Sequence, residues 1–251
     1  MTRHWTIQPL CFGWYPYFEK SFFTYGRHQG VKMASPCLGW LLQSDDEAIL
    51  VDTGPVAPER AHPSHSKLSR SPDQVPDAAL RAVGVEPDSL KLVVLSHLHY
   101  DHCYNLELFP RARFVVQAEE LKAAVDPVRA QRSTYEFGIP GLKPPWLSVF
   151  DRLNVVHGDT DLVPGLRLVL LPGHTPGLQG VLVETRAGRY LLPSDAVPLY
   201  ENLGSVGDDP PIPGIHTDVV ACERSLEKMC GIADVILPSH DPEVMKKPVY
   251  P

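Results

Sequence analysis

Three histidines and an aspartate fall close together in Ser96-His97-Leu98-His99-Tyr100-Asp101-His102. The pattern His-x-His-x-Asp-His supplies neutral nitrogen donors and a carboxylate, the ligand types suited to zinc and its neighbours. A solvated histidine-rich turn is the plainer reading of one or two such residues, but four at this spacing favour a cation. Three later residues each follow an apolar run: His174 in Pro172-Gly173-His174-Thr175-Pro176-Gly177, Asp195 in Pro193-Ser194-Asp195-Ala196, and His240 in Pro238-Ser239-His240-Asp241. Seven ligands exceed what one tetrahedral ion can use. Two metals close together are implied, with Asp195 the natural bridging carboxylate.

Residues of this kind must be held at strand ends. Leu90 to Ser96 is a continuous apolar run of strand length, the type buried on both faces. Further strands are expected at 38–43, 48–52, 114–117, 166–171, 180–184, 189–192 and 234–237. A short helix starts at Pro76 and stops before Gly84, and others are expected at 118–125 and 218–230. In the last, Val219, Cys222, Leu226, Met229 and Cys230 share one predicted apolar face, which makes both cysteines core residues. Residues 55–76 and 126–150 read as irregular, and a long loop of the second kind usually covers something. His62 and His65 in the first loop are expected to be solvated. Strands and helices alternate in both halves of the chain. The expectation is one α/β domain, residues 1–251, built of two similar halves.

With 251 residues, 43% hydrophobic and 21% charged, the chain has the composition of a globular protein rather than a disordered or fibrous one. Its 23 Lys and Arg against 30 Asp and Glu give a net charge of −7, which disfavours nucleic acid and anionic membrane as partners. The N-terminus lacks a signal-peptide stretch and no window approaches a membrane span, so a cytoplasmic protein is expected. Five scattered cysteines without a C-x-x-C pair argue against a disulfide framework.

The ligand set, with Asp52-Thr53-Gly54 upstream, resembles the metallo-β-lactamase superfamily. Ile49-Leu50-Val51-Asp52-Thr53-Gly54, the Ser96–His102 motif, Pro172–Gly177, Ser194-Asp195-Ala196 and Glu201-Asn202 most resemble its N-acyl-homoserine lactonase branch. The resemblance implies a four-layer αββα sandwich with the metals at the strand ends. It assigns His97, His99 and His174 to one metal, Asp101, His102 and His240 to the other, and Asp195 to both. Asp52 would orient the metal-binding loop. Zinc is the first expectation for both ions, with iron, manganese or cobalt as other occupants of such ligands.

The chemistry implied is lactone opening by a hydroxide held between the two ions, with Asp101 as the proton shuttle to the leaving oxygen. The lactonase branch carries a tyrosine three residues after the bridging aspartate, whereas this chain has Pro198 there. Tyr200 or His216 are the candidates to replace it, or the carbonyl relies on metal alone. An apolar cleft is expected from the aromatic N-terminal stretch, including Tyr15 and Phe18, and from Phe137 and Trp146 in the later loop. The expected partner is a small lactone, either an N-acyl-homoserine lactone or another small or aromatic one, acted on by a monomer or homodimer. Two readings compete: a thioester, β-lactam or phosphoester hydrolase on the same metals, and a metal-binding protein without turnover.

Overall fold

A computed structural model describes residues 3–204 and 209–251. Its first sheet runs in the order β1 (Thr6–Glu19), β2 (Lys32–Gln43), β3 (Ala48–Val51), β4 (Leu92–Val94), β5 (Arg113–Gln117), β6 (Leu153–Val156). β1, β2 and β3 pair antiparallel, whereas β3 to β6 are parallel. The second sheet has the order β11 (Val235–Ile236), β10 (Gly188–Leu192), β9 (Gln179–Thr185), β8 (Leu166–Leu170), β7 (Thr160–Val163). It is antiparallel except for the β10–β11 pair.

Successive strand side chains point to opposite faces, and here both faces are dry. From the first sheet, Trp40, Leu42, Ile49, Val51, Val94 and Val115 meet Leu166, Leu168, Val181, Val183 and Leu192 of the second, forming one continuous interior. The alternate residues Leu41, Leu50, Val93, Phe114 and Val116 face outward onto α1 (Pro76–Ala82) and α2 (Ala118–Val125). On the opposite outer face Val169 and Leu191 pack against Met229 of α4 (Val219–Ile232). Burial on both faces is why these strands read as unbroken apolar runs. The layers are helix, sheet, sheet, helix, as the αββα expectation requires. No described helix is long and apolar enough to cross a membrane.

Two expectations need correction, and one strand was not anticipated. The aromatic N-terminal stretch is a strand of fourteen residues, β1, with register shifts between Cys11 and Trp14 and between Tyr15 and Phe18. Its aromatic residues favour extended chain, and its two prolines are tolerated because β1 lies at the sheet edge. In α4 only part of the predicted stripe is covered: Cys222 and Met229 are buried, whereas Val219 is 38% exposed and Cys230 lies at the surface. At about 100° per residue those two sit about 60–80° round the helix from Cys222, past the edge of the contact. The 126–150 segment holds the short helix α3 (Arg132–Tyr135), and Tyr135, Trp146 and Val149 close the outer core of the first sheet. Trp146 is 1% exposed and Phe137 packs against the same cluster, so both serve the core rather than a cleft.

Candidate metal centre

The C-terminal ends of β4, β8, β10 and β11 lead into the segments that carry His97, His174, Asp195 and His240 respectively. Sandwich geometry brings these ends to one edge. Ligand atoms of His97, His99 and His174 lie within 4.8 Å of one another, as do those of His97, His102 and Asp195 and those of Asp101, His102 and His240. All seven residues singled out from the sequence as metal ligands therefore converge. The five imidazoles are 0–3% exposed.

Hydrogen bonds set the tautomers. His102 Nδ1 donates to Asp52 Oδ2 at 2.8 Å, His174 Nδ1 to the Ile215 carbonyl at 2.7 Å, and His240 Nδ1 to the Pro36 carbonyl at 2.8 Å. Ser96 Oγ gives its one proton to Asp52 Oδ2 at 2.7 Å, so it accepts from His97 Nδ1 at 3.1 Å. Four rings thus carry their proton on Nδ1 and turn an Nε2 lone pair inward. His99 is the other way round, with Nδ1 at 3.1 Å from His174 Nε2.

Asp195 spans the group: Oδ1 lies 3.3 Å from His102 Nε2 and 3.2 Å from His240 Nε2, and Oδ2 lies 3.6 Å from His174 Nε2. That is the arrangement of a carboxylate facing two positions at once. Asp101 Oδ2 is 3.9 Å from His102 Nε2 and accepts from the Tyr15 hydroxyl at 3.4 Å.

The inward nitrogens of His97 and His102, and Nε2 of His99, are buried without a hydrogen-bond partner. Each such orphan costs about 1–3 kcal/mol unless something satisfies it. Burial, reinforced by the surrounding imidazoles, holds His97 far below the ordinary histidine range. Burial and the neighbouring His174 do the same for His99, and burial lowers His174. Burial opposes charge on His102 as well, but the carboxylates of Asp195, Asp101 and Asp52 outweigh it and raise its value. Against burial, Asp195 likewise raises His240. Nitrogen donors clustered beside two carboxylates, three of them held neutral by burial, fit divalent cations of the zinc, iron, manganese and cobalt type.

Asp52 follows β3 with φ +61°, and its Oδ1 also accepts the Ser96 N–H at 2.7 Å. This left-handed turn is completed by Gly54, at φ +74°, where a Cβ would sit 2.7 Å from Phe12 Cβ. Sequence reasoning missed the serines, although each precedes a ligand: Ser96-His97, Ser194-Asp195 and Ser239-His240. Ser194 Oγ donates to Ser96 Oγ at 2.8 Å and Ser239 Oγ to Asp195 Oδ1 at 2.9 Å, so all three brace the centre. That repeated Ser-ligand step was the available signal.

A cleft of about 290 Å³ opens above the ligands. Phe18, Phe22, Phe23, Pro213 and Ile215 give it apolar walls, and Ser64, Ser66, Ser133 and Thr134 give it small polar ones. Of the residues expected to contact substrate, Phe18 lines the cleft. Tyr15, 2% exposed, stands behind Asp101. His216 lies outside the lining, its Nδ1 on the Pro213 carbonyl at 2.8 Å and its ring against Tyr25.

Tyr200 is not brought to the centre. The Asn202 side chain caps Leu199 N at 2.8 Å, and the turn this makes carries Tyr200 onto the sandwich interior near Tyr250, while Pro198 faces the cleft. His65 is buried rather than solvated. It pairs with Glu136 at 3.1 Å and stacks on Tyr100 with ring centres 3.8 Å apart.

The chain is similar to proteins of known activity. Residues 34–240 match the family model described as the metallo-beta-lactamase superfamily. An N-acyl homoserine lactonase of Bacillus thuringiensis is 30% identical over 228 residues, covering 84% of this chain and 83% of that protein. Among solved structures, a quorum-quenching N-acyl homoserine lactone lactonase has a TM-score of 0.75 at 26% identity, covering 97% of this chain and 94% of the other. AidC, a dizinc quorum-quenching lactonase solved with its product, shares the fold with a TM-score of 0.72 at 18% identity, covering 96% and 89%.

Proposed function

Because the chain belongs to the metallo-β-lactamase superfamily and is a metal-dependent hydrolase of lactonase type, we propose that it opens N-acyl-homoserine lactones, or a close small lactone, at a centre of two zinc ions. The observation that carries this reading is the convergence of seven nitrogen and oxygen donors, with tautomers fixed from behind, on the floor of an apolar cleft.

His97, His99 and His174 would hold one ion, Asp101, His102 and His240 the other, and Asp195 both. When bound, two such ions supply a water activated near neutral pH and polarise an ester carbonyl. The chain's own residues do the rest. The aromatic wall of Phe18, Phe22 and Phe23 takes the acyl portion and excludes water from the reacting ester. In this reading Asp101 carries a proton to the departing ring oxygen. Its Oδ2 is occupied by the Tyr15 hydroxyl, and no donor among the described residues reaches Oδ1, which leaves that oxygen to move the proton. The product is a ring-opened hydroxy acid. Pro198 has no donor to offer the carbonyl, so the substrate's orientation rests on the ions and on the cleft walls.

No Lys or Arg lines the cleft among the described residues, which favours a neutral ester over a phosphoester. The test is proton release from a panel of lactones, with a thioester of the same acyl group for comparison, before and after chelation. Turnover of lactones in preference to the thioester, abolished by chelator and restored by zinc, is expected. Undiminished turnover after full metal removal would sink the reading.

A further inference from the structure

Glu120 belongs to none of the donor groups above, yet it is wholly buried beneath them on α2. Four groups converge on its carboxylate. Leu98 N donates to Oε1 at 2.9 Å and the Tyr135 hydroxyl donates to the same oxygen at 2.9 Å. Thr175 Oγ1 donates to Oε2 at 2.6 Å and Gly177 N donates there at 3.2 Å. All four are donors. The ionised carboxylate therefore satisfies every one of them, whereas a neutral amide would set an N–H against an N–H or O–H.

The positions of these donors give the arrangement its meaning. Leu98 lies between His97 and His99, and Thr175 follows His174. Tyr135 presses its ring edgewise on His99 with centres 4.7 Å apart. One carboxylate thus grips both chain segments that present His97, His99 and His174. The approach is close enough to demand glycine, since a Cβ on Gly177 would fall 2.0 Å from the Glu120 backbone nitrogen. The other ligands are anchored elsewhere, His102 on Asp52 and His240 on the Pro36 carbonyl. No hydrogen bond among the described residues joins Glu120 to Asp101, His102 or His240.

We propose that Glu120 is a positioning residue that sets the metal affinity of the His97/His99/His174 position and leaves the Asp101/His102/His240 position unaffected. This rests on the metal-ligand reading above. Partners that orient ligands in this way are worth about 10–100-fold in metal affinity.

The experiment is a zinc titration of the whole chain against a competing chromophoric chelator, with cobalt spectra as a second readout. Wild type should bind two ions. Glu120→Gln should weaken one of them about 10–100-fold and leave the other at its wild-type affinity, with only one set of cobalt bands altered. Glu120→Asp, which keeps the charge, should recover part of the loss. Tyr135→Phe and Thr175→Val each remove one donor from a chain that should still fold, and each should weaken the same ion to a lesser degree. Unchanged affinity for both ions, or equal loss of both, in Glu120→Gln or in this milder pair overturns the proposal. A wild-type chain that binds no zinc overturns the metal reading instead.

Discussion

Asp52 Oδ2 accepts the Nδ1 proton of His102 across 2.8 Å in a place where neither side chain is more than 3% exposed. The same carboxylate holds the Ser96 backbone and hydroxyl, so it fixes both the direction of one imidazole and the chain end from which the histidine motif starts. Asp52→Asn should therefore lower zinc affinity about 10–100-fold without unfolding the chain. Competition with a chelator measures this, and wild-type affinity in the variant would show that Asp52 is merely a turn residue.

Asp101 combines proximity to His102 with access to the cleft, its side chain being 17% exposed. Asp101→Asn keeps an oxygen donor but cannot carry a proton. Lactone turnover should drop about 10²–10⁴-fold, while zinc content measured on the same sample stays at the wild-type figure. Loss of one ion in parallel with the rate would reduce Asp101 to a ligand only.

Tyr200, directed away from the cleft onto the interior packing, should contribute little to turnover. Tyr200→Phe is expected to change kcat/KM by no more than about twofold, the range of a substitution outside the reacting groups. A loss of about a hundredfold in steady-state lactone kinetics would mean that the turn at 199–203 rearranges to bring the hydroxyl to the substrate.

The metal-free chain should be least stable away from pH 6.5. His97, His99 and His174 are held neutral in the fold, so below the ordinary value of 6.5 the unfolded chain takes up protons the folded chain refuses. Stability is then lost as the pH falls below that value. His102 and His240, raised against the pull of burial by the carboxylates around them, work in the opposite sense: what they add is present below 6.5 and disappears as the pH climbs through their raised values. Thermal midpoints in chelator between about pH 5 and about pH 9 should fall on both sides of a maximum near 6.5. A midpoint that rises steadily with pH would contradict these charge assignments.

Much of this centre is legible in the residues themselves, and the limits have physical causes. His97 to His102 can be read because the donors are local, and His174, Asp195 and His240 because each follows an apolar strand that could end only at the sandwich edge. Position along the chain says nothing about which side of a turn a side chain takes, which is why Tyr200, five residues after Asp195, points away. Aromatic content alone does not separate a cleft wall from a core, and Trp146 and Phe137 went to the core. His65 sits in a polar stretch, but its partner Glu136 and its stacking surface Tyr100 arrive from distant segments. Glu120 looks like one more acid in Glu119-Glu120 at a helix start. Only the tertiary fold shows that three donors from the ligand segments, and the Tyr135 hydroxyl from α3, close on it.

Zinc content per chain, determined by elemental analysis after equilibration with limiting free zinc, bears most directly on the central claim. Two ions per wild-type chain, with at least one lost in His97→Ala and in His240→Ala, is the expected result. No retained zinc, or two ions undiminished in both variants, would show that these side chains meet for some purpose other than holding metal.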